Sequence, residues 1–210
     1  MTQVEALAKI ERLDLWLFET RDLAALLKVE NSNANKIASR LARTGLIVPI
    51  RRGRWALRRR LNKLAIPEHL TAPYPTYVSL QTALYHHGMI SQIPAITYAV
   101  SLARTRRYDT PVGTISIHHV AAEFFFGFEL DESGTVKMAT PEKALVDVFY
   151  LSPTRSRLFK KLPEIEFTRR FRWSKTFEIA SKIRSRARKR FVERALATLR
   201  DSAKTEKRRR

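Results

Sequence analysis

One stretch, residues 20–57, constrains the fold most, because its pattern fits two short helices, a tight turn and a β-hairpin. Thr20 and Ser32 are residue types that cap helix N-termini, and Gly45 is typical of a helix C-terminus. In the second helix, predicted over residues 32–44, small and apolar side chains recur at i, i+3, i+4 and i+7. We therefore expect this helix to bury one face and to expose the other.

The face that this helix would expose carries amides, a hydroxyl and cations but no acid. Its residues are Asn33, Asn35, Lys36, Ser39, Arg40 and Arg43. Amide and cationic side chains of this kind pair with base edges when a helix lies in the major groove of DNA. The pattern therefore favours a helix that reads double-stranded DNA.

The hairpin that follows is basic at its tip. The β-prone residues 46–50 and 54–57 are joined through Gly53, which permits the positive φ that tight hairpins need. Arg51, Arg52 and Arg54 have no acidic neighbours in sequence, so a phosphate backbone is their natural partner. With an opening amphipathic helix, this predicts a winged helix-turn-helix domain over residues 1–66. An ordinary helical domain with a solvated basic loop is the alternative.

The net charge of +20 is divided unevenly along the chain. Residues 1–70 hold 14 Lys and Arg against 7 Asp and Glu, and residues 151–210 hold 21 against 6. The middle, residues 71–150, holds 5 against 7. The two basic ends therefore favour a polyanionic partner, whereas the middle does not.

The rest of the chain predicts an α+β fold in which a mixed α/β domain with a mostly antiparallel sheet follows the basic head. Closely spaced prolines indicate an irregular linker over residues 67–76. The second domain is expected over residues 77–200. Its short strands show no parallel βαβ rhythm, which indicates a mostly antiparallel sheet. This domain should end in a long basic helix over residues 174–200, followed by a disordered basic tail over residues 201–210.

An enzyme is not expected. The chain lacks cysteine, a Walker loop, a nucleophile elbow and a dinucleotide fingerprint. Adjacent histidines, as in His86-His87 and His118-His119, each offer at most one ligand to a given site, so we expect no metal and no cofactor. The carboxylates that could form a site are Asp109, Glu129, Glu142 and Asp147. No apolar run is long enough to span a membrane, and we expect a cytoplasmic protein.

Two positive clusters in the second half are candidates for a protein or RNA surface. Arg104, Arg106 and Arg107 are the main cations of the otherwise slightly acidic middle. The alternative is a charged edge strand that discourages pairing with other sheets. Arg186, Lys189 and Arg190 lie in the basic end, where acids at i±4 are scarce, although a charge run is usually a solvated face.

Several motifs make the chain resemble a known family. They are Tyr77-Val78-Ser79-Leu80-Gln81-Thr82-Ala83-Leu84 with His87-Gly88, Thr105-Arg106-Arg107-Tyr108-Asp109-Thr110-Pro111-Val112-Gly113, Phe125-Phe126-Gly127-Phe128-Glu129 and Ala139-Thr140-Pro141-Glu142-Lys143-Ala144-Leu145-Val146-Asp147. After a helix-turn-helix head, their order and spacing resemble the AbiEi antitoxins of bacterial type IV toxin–antitoxin systems, known from abortive phage infection. The resemblance covers roughly residues 3–200.

The resemblance implies a protein with two functions. The head would repress its own operon by binding the operator, and the C-terminal domain would neutralise a cognate nucleotidyltransferase-like toxin, by contact with the toxin or with its nucleic-acid target. The residues alone leave a second class open, an RNA-binding protein that uses both basic ends. In A-form RNA the deep, narrow major groove would leave the face of residues 33–43 unused for reading bases.

Overall fold

The computed structural model describes residues 3–12, 15–132, 134–152 and 164–209, which form eight α-helices and nine β-strands. The helices are α1 (Gln3–Glu11), α2 (Thr20–Leu27), α3 (Asn31–Arg43), α4 (Ile66–Thr71), α5 (Leu80–His86), α6 (Pro141–Leu151), α7 (Trp173–Ser181) and α8 (Arg186–Arg209). The strands are β1 (Leu17–Glu19), β2 (Ile47–Arg51), β3 (Arg54–Leu57), β4 (Thr76–Val78), β5 (Ile96–Ser101), β6 (Arg106–Thr110), β7 (Gly113–His119), β8 (Phe128–Leu130) and β9 (Lys137–Ala139). The chain divides into two compact units, residues 1–66 with 108–114 and residues 67–107 with 115–210.

The first unit combines α1–α3 with a three-stranded antiparallel sheet of order β1-β3-β2. The predicted inner face of α3 is buried, and it joins the core formed by residues such as Ile10, Phe18 and Leu23. The helix starts differ from the prediction. The N-cap of α2 is Glu19, whose N–H is bound by Asp22 Oδ2 at 2.8 Å, and the N-cap of α3 is Glu30.

The second sheet has six strands in the order β6-β7-β5-β4-β9-β8. Strand β4 runs antiparallel to β5, β8 runs antiparallel to β9, and β4 runs parallel to β9. This makes the sheet mixed, and the fold is α+β as expected. The parallel pair was not predicted, because its two strands are separated in sequence by α5 and four strands, which leaves no βαβ rhythm.

Three expected segments have a different structure. The linker expected over residues 67–76 contains most of α4, whose first turn tolerates Pro67 because an N–H there has no helical partner. The long helix expected over residues 174–200 is two helices, α7 and α8. Ile183 is buried in the break between them. Helix α8 begins with a hydrogen bond from the Lys189 N–H to the Ser185 carbonyl at 2.8 Å. Helix α8 then continues to Arg209, so the tail expected to be disordered is helical to that residue.

Helix α6 begins as the sequence predicts. Thr140 is its N-cap and accepts a hydrogen bond from the Lys143 N–H at 3.3 Å, and Pro141 occupies the first turn. This start sets the rotation of the helix, and it places the side chains of Lys143 and Asp147 one turn apart on a fully buried face. The ammonium nitrogen Nζ lies 2.8 Å from Asp147 Oδ1.

The buried pair is surrounded by further partners. Lys143 Nζ donates to the Phe124 carbonyl at 3.0 Å and lies 3.5 Å from the centroid of that ring. Asp147 Oδ2 accepts bonds from Ser79 Oγ at 2.8 Å and from the Tyr77 hydroxyl at 3.0 Å. Burial lowers the pKa of Lys143, although Asp147 opposes this shift, and burial raises the pKa of Tyr77. The cluster thus joins α6 to β4 and to the loop at Phe124.

Breaking this pair from one side should be strongly destabilising. Lys143→Met leaves a buried carboxylate without its cation, so we expect a loss of about 3–5 kcal/mol in the free energy of unfolding, measured by urea denaturation. Lys143→Met combined with Asp147→Asn removes both charges and keeps an acceptor for Tyr77 and Ser79, so the double variant should be more stable than Lys143→Met alone.

Lys137 provides the matched control, because its ion pair with Glu68 is partly exposed. Lys137→Met should lower the free energy of unfolding by no more than about 1 kcal/mol. Additive losses at positions 143 and 147 would contradict a coupled buried pair.

Candidate nucleic-acid interface

Helix α3 presents the polar face that the sequence predicts. Its buried residues are Ala34, Ile37, Ala38 and Leu41, so the opposite side is turned to solvent. The exposed residues are Asn33, Asn35, Lys36, Arg40 and Arg43, and Ser39 is half-buried. Within the described ranges, no hydrogen bond or ion pair occupies the side chains of the five exposed residues. Their donors are therefore available to a ligand.

The hairpin tip is basic, but its three arginines are not equivalent. Arg51 ends β2 and Arg52 lies in the turn, directly before Gly53 with its φ of 75°, and both arginines are exposed. Arg54 instead forms an ion pair with Glu19, with Nη2 3.0 Å from Oε1. This pair arises because β1 lies beside β3 with Glu19 opposite Arg54 in register. Arg54 therefore has a carboxylate partner that is distant in sequence, and the expectation that it also contacts DNA stays a prediction.

Hydrogen bonds through Thr20 fix the hairpin to the start of α2. The Thr20 N–H donates to the Gly53 carbonyl at 2.9 Å, and the buried Trp55 donates from Nε1 to Thr20 Oγ1 at 3.0 Å. The position of the tip is thus set by α2, the helix that precedes α3. The cations at 51 and 52 are held in a defined place relative to the exposed face of α3.

A groove of about 320 Å³ lies beside this tip. Its lining residues are Glu19, Thr20, Arg21, Asn31, Arg51, Arg52, Gly53 and Arg54. The sequence reasoning did not select Arg21 or Asn31. Asn31 is the first residue of α3. It was not considered because Ser32 was predicted to be the N-cap, which places Asn31 in the turn before the helix. The signal that could have identified it is Glu30, an acid suited to the positive end of a helix.

The cations of the second half lie in two places. Arg104, Arg106 and Arg107 are exposed, and Arg106 and Arg107 belong to β6, which ends the six-stranded sheet. This position agrees with the edge-strand alternative. On α8, Arg186 and Arg190 are exposed. Lys189 instead donates from Nζ to the Ser181 carbonyl at 3.0 Å, which caps α7.

The carboxylates considered for catalysis have separate structural surroundings. Asp109 accepts a bond from the Thr114 hydroxyl at 2.7 Å, and Glu142 accepts the Arg172 N–H at 2.9 Å. Asp147 is part of the buried cluster with Lys143, and Glu129 is exposed on β8. Over the described ranges, no group of three or more His, Cys, Asp or Glu residues could hold a metal ion.

The histidines also differ from one another. His86 and His119 are exposed, and His87 forms a 2.7 Å hydrogen bond through Nε2 with the Ala139 carbonyl oxygen. His118 is buried beside Ser116, and burial lowers its pKa to about 4. His118 is therefore neutral near pH 7 and belongs to the core.

No protein-family model matches this chain, and no curated protein matches it with statistical significance. Of the helices described, none combines the length and the apolar character needed to cross a membrane. The function must therefore be inferred from the surfaces themselves, and the most specific of these is the exposed face of α3 with the adjacent hairpin tip.

Proposed function

We propose that this protein is a DNA-binding transcriptional repressor whose first unit acts as a winged helix-turn-helix. In this assignment α2 and α3 are the helix-turn-helix, and β2 and β3 are the wing. The observation that carries the proposal is the exposed face of α3, which offers amides and cations but no acid and has no partner among the described side chains. Such a face has little role in stability and suits base reading.

The dimensions of α3 support this assignment. A helix of 13 residues is about 20 Å long, and the major groove of B-DNA, about 12 Å wide, admits one α-helix. Asn35 can pair with adenine through two hydrogen bonds, and Arg40 can pair with guanine in the same way. The exposed Arg51 and Arg52 would then contact phosphates beside the groove.

We further propose that the second unit neutralises a cognate nucleotidyltransferase-like toxin, as a member of the AbiEi antitoxin family. The support is the resemblance of its motifs. In the most specific motif, Lys143 and Asp147 form a buried pair, so the motif specifies this core. For the neutralising surface we select Arg104, Arg106 and Arg107, which are exposed at the end of a sheet whose part of the chain is otherwise slightly acidic.

The RNA-binding alternative makes a different prediction from operator binding. Double-stranded RNA does not admit α3 to its major groove, so its binding would depend on contacts with phosphates and 2′-hydroxyls and not on base reading by α3. A competition at near-physiological salt between the protein's own upstream DNA and bulk tRNA separates the two. Displacement from the DNA by an equal mass of tRNA would favour the RNA-binding function.

The first functional prediction concerns base reading by α3. Asn35→Ala or Arg40→Ala should weaken binding to the operator by about 1–3 kcal/mol and should weaken binding to random DNA much less. Lys9→Ala, which removes an exposed cation from α1, is the matched control and should leave specificity unchanged. Fluorescence anisotropy on both DNAs measures the ratio, and equal losses on both would exclude base reading.

The second concerns the hairpin tip. Arg51→Ala with Arg52→Ala should weaken binding to all DNA sequences and reduce the slope of log affinity against log salt by about 2, one for each lost phosphate contact. Arg54→Ala, in the same hairpin, should change the slope less, because Arg54 already pairs with Glu19. An unchanged slope in the double variant would show that the tip does not meet DNA.

The third is that repression and protection are separable in the full chain. The double variant at positions 51 and 52 should lose repression of an operator-driven reporter and still protect cells that express the toxin encoded beside it. Alanine at positions 104, 106 and 107 should do the reverse. A hairpin variant that loses both activities while staying folded would contradict this division of functions.

A further inference from the structure

Four aromatic rings lie close together in the segment of residues 166–177, which we call the aromatic–arginine segment. The ring centroids of Phe167 and Trp173 are 4.8 Å apart, and those of Phe171 and Trp173 are 5.1 Å apart. Phe177 follows at 6.4 Å from Trp173. Each of the four side chains is only half-buried. The cluster therefore reaches the surface of the second unit and leaves part of its aromatic area exposed.

Cations alternate with these rings along the chain. Arg169, Arg170, Arg172 and Lys175 are exposed, and none of their side chains has a hydrogen bond, ion pair or ring contact with another described residue. Of the acids at the two ends of the segment, Glu178 is paired with Lys182 at 3.3 Å, and Glu166 is exposed. The segment thus combines aromatic surface with a local excess of uncompensated positive charge.

The backbone of the segment is fixed from both sides. The Glu166 N–H donates to the Met89 carbonyl at 2.8 Å, and the Arg172 N–H donates to the buried carboxylate of Glu142 at 2.9 Å. Between them, the Phe171 N–H closes a turn on the Thr168 carbonyl at 3.1 Å. These contacts fix the backbone that carries the rings and the arginines before any ligand arrives, which reduces the backbone entropy lost on binding.

We propose that the aromatic–arginine segment binds single-stranded nucleic acid. Unpaired bases would stack on the exposed parts of Trp173 and Phe171, and Arg169, Arg170 and Arg172 would contact the phosphates. Stacking suits these rings because every base offers a π-face, and it needs single strands because the bases of a duplex are already stacked on each other. An Arg200 guanidinium already lies 5.2 Å from the Phe177 ring centroid, so that ring is partly occupied.

An acidic protein partner explains these residues less well. It would satisfy the arginines but would give no reason for aromatic rings to alternate with them at the surface. This inference goes beyond the proposed function and does not rest on it, since the segment lies in the second unit and operator binding is assigned to α3 and the hairpin.

The test measures binding of the full chain to a labelled 15-nucleotide oligouridylate, to oligothymidylate of the same length and to a DNA duplex. Trp173→Leu and Phe171→Leu keep apolar bulk but remove the stacking face, so each should weaken binding to the single strands at least tenfold and leave duplex binding unchanged. Replacing Arg169, Arg170 and Arg172 by Gln should reduce the salt slope on single strands by about 2. The uridylate and thymidylate arms show whether RNA or single-stranded DNA is preferred.

Controls separate this site from the first unit and from misfolding. The Arg51→Ala, Arg52→Ala variant should bind the single strands as the unaltered chain does, even if operator binding fails. Photo-crosslinking of 5-bromouridine oligomers to the unaltered protein should label a peptide within residues 166–177. Crosslinks found only elsewhere, leucine variants with unaltered single-strand affinity, or equal displacement by polyglutamate would each overturn the proposal.

Discussion

Two charges without any exposure to solvent, the Lys143 ammonium and the Asp147 carboxylate, join α6 to β4 and to the loop at Phe124. Removing such charges from water is tolerated only where the surroundings supply partners, so the positions of those partners must be kept. Gly127 shows how close the packing is. It has φ 79°, a conformation that favours glycine, and a Cβ there would lie 3.1 Å from Lys143 Cγ, so a larger residue would press on the Lys143 side chain. The fold of the second unit therefore depends on this pair.

Ion pairs and hydrogen bonds also distinguish the cations that stabilise the fold from those that are available to bind a ligand. Arg54 and Lys189 are both held by described groups, Arg54 by Glu19 and Lys189 by the Ser181 carbonyl. Arg51 and Arg52 at the hairpin, like the arginines of the aromatic–arginine segment, have no such partner among the described residues. Although the net charge is +20, these arginines lie on two surfaces, the hairpin tip and the aromatic–arginine segment. Polyanions are expected to bind at these two surfaces.

The sequence predicted what local patterns determine. The inner face of α3 follows from periodicity, the hairpin from Gly53 between β-prone runs, and the start of α6 from Thr140 and Pro141.

Features that depend on contacts between distant parts of the chain were not predicted. The parallel β4–β9 pair and the pairing of Arg54 with Glu19 both require strands to meet across the chain. The break between α7 and α8 was missed because the apolar pattern continues across it. In the structure Phe191, which belongs to that pattern, is 43% exposed. Most residues of the candidate site were predicted because the face of α3 and the hairpin tip follow from local sequence patterns. Asn31 and Arg21 were missed because their places depend on helix capping and on strand pairing.

The attachment of the hairpin to α2 through Thr20 has a mechanical consequence. Bonds from Thr20 to Gly53 and from Trp55 to Thr20 tie the tip to the start of α2, so a displacement of the tip would have to break them or carry the start of α2 with it. If the first unit binds DNA as proposed, these bonds restrain the spacing between the tip and α3. A duplex whose groove does not match that spacing would have to bend or alter its groove. Stiffness of the duplex would then enter recognition at base pairs that no side chain touches.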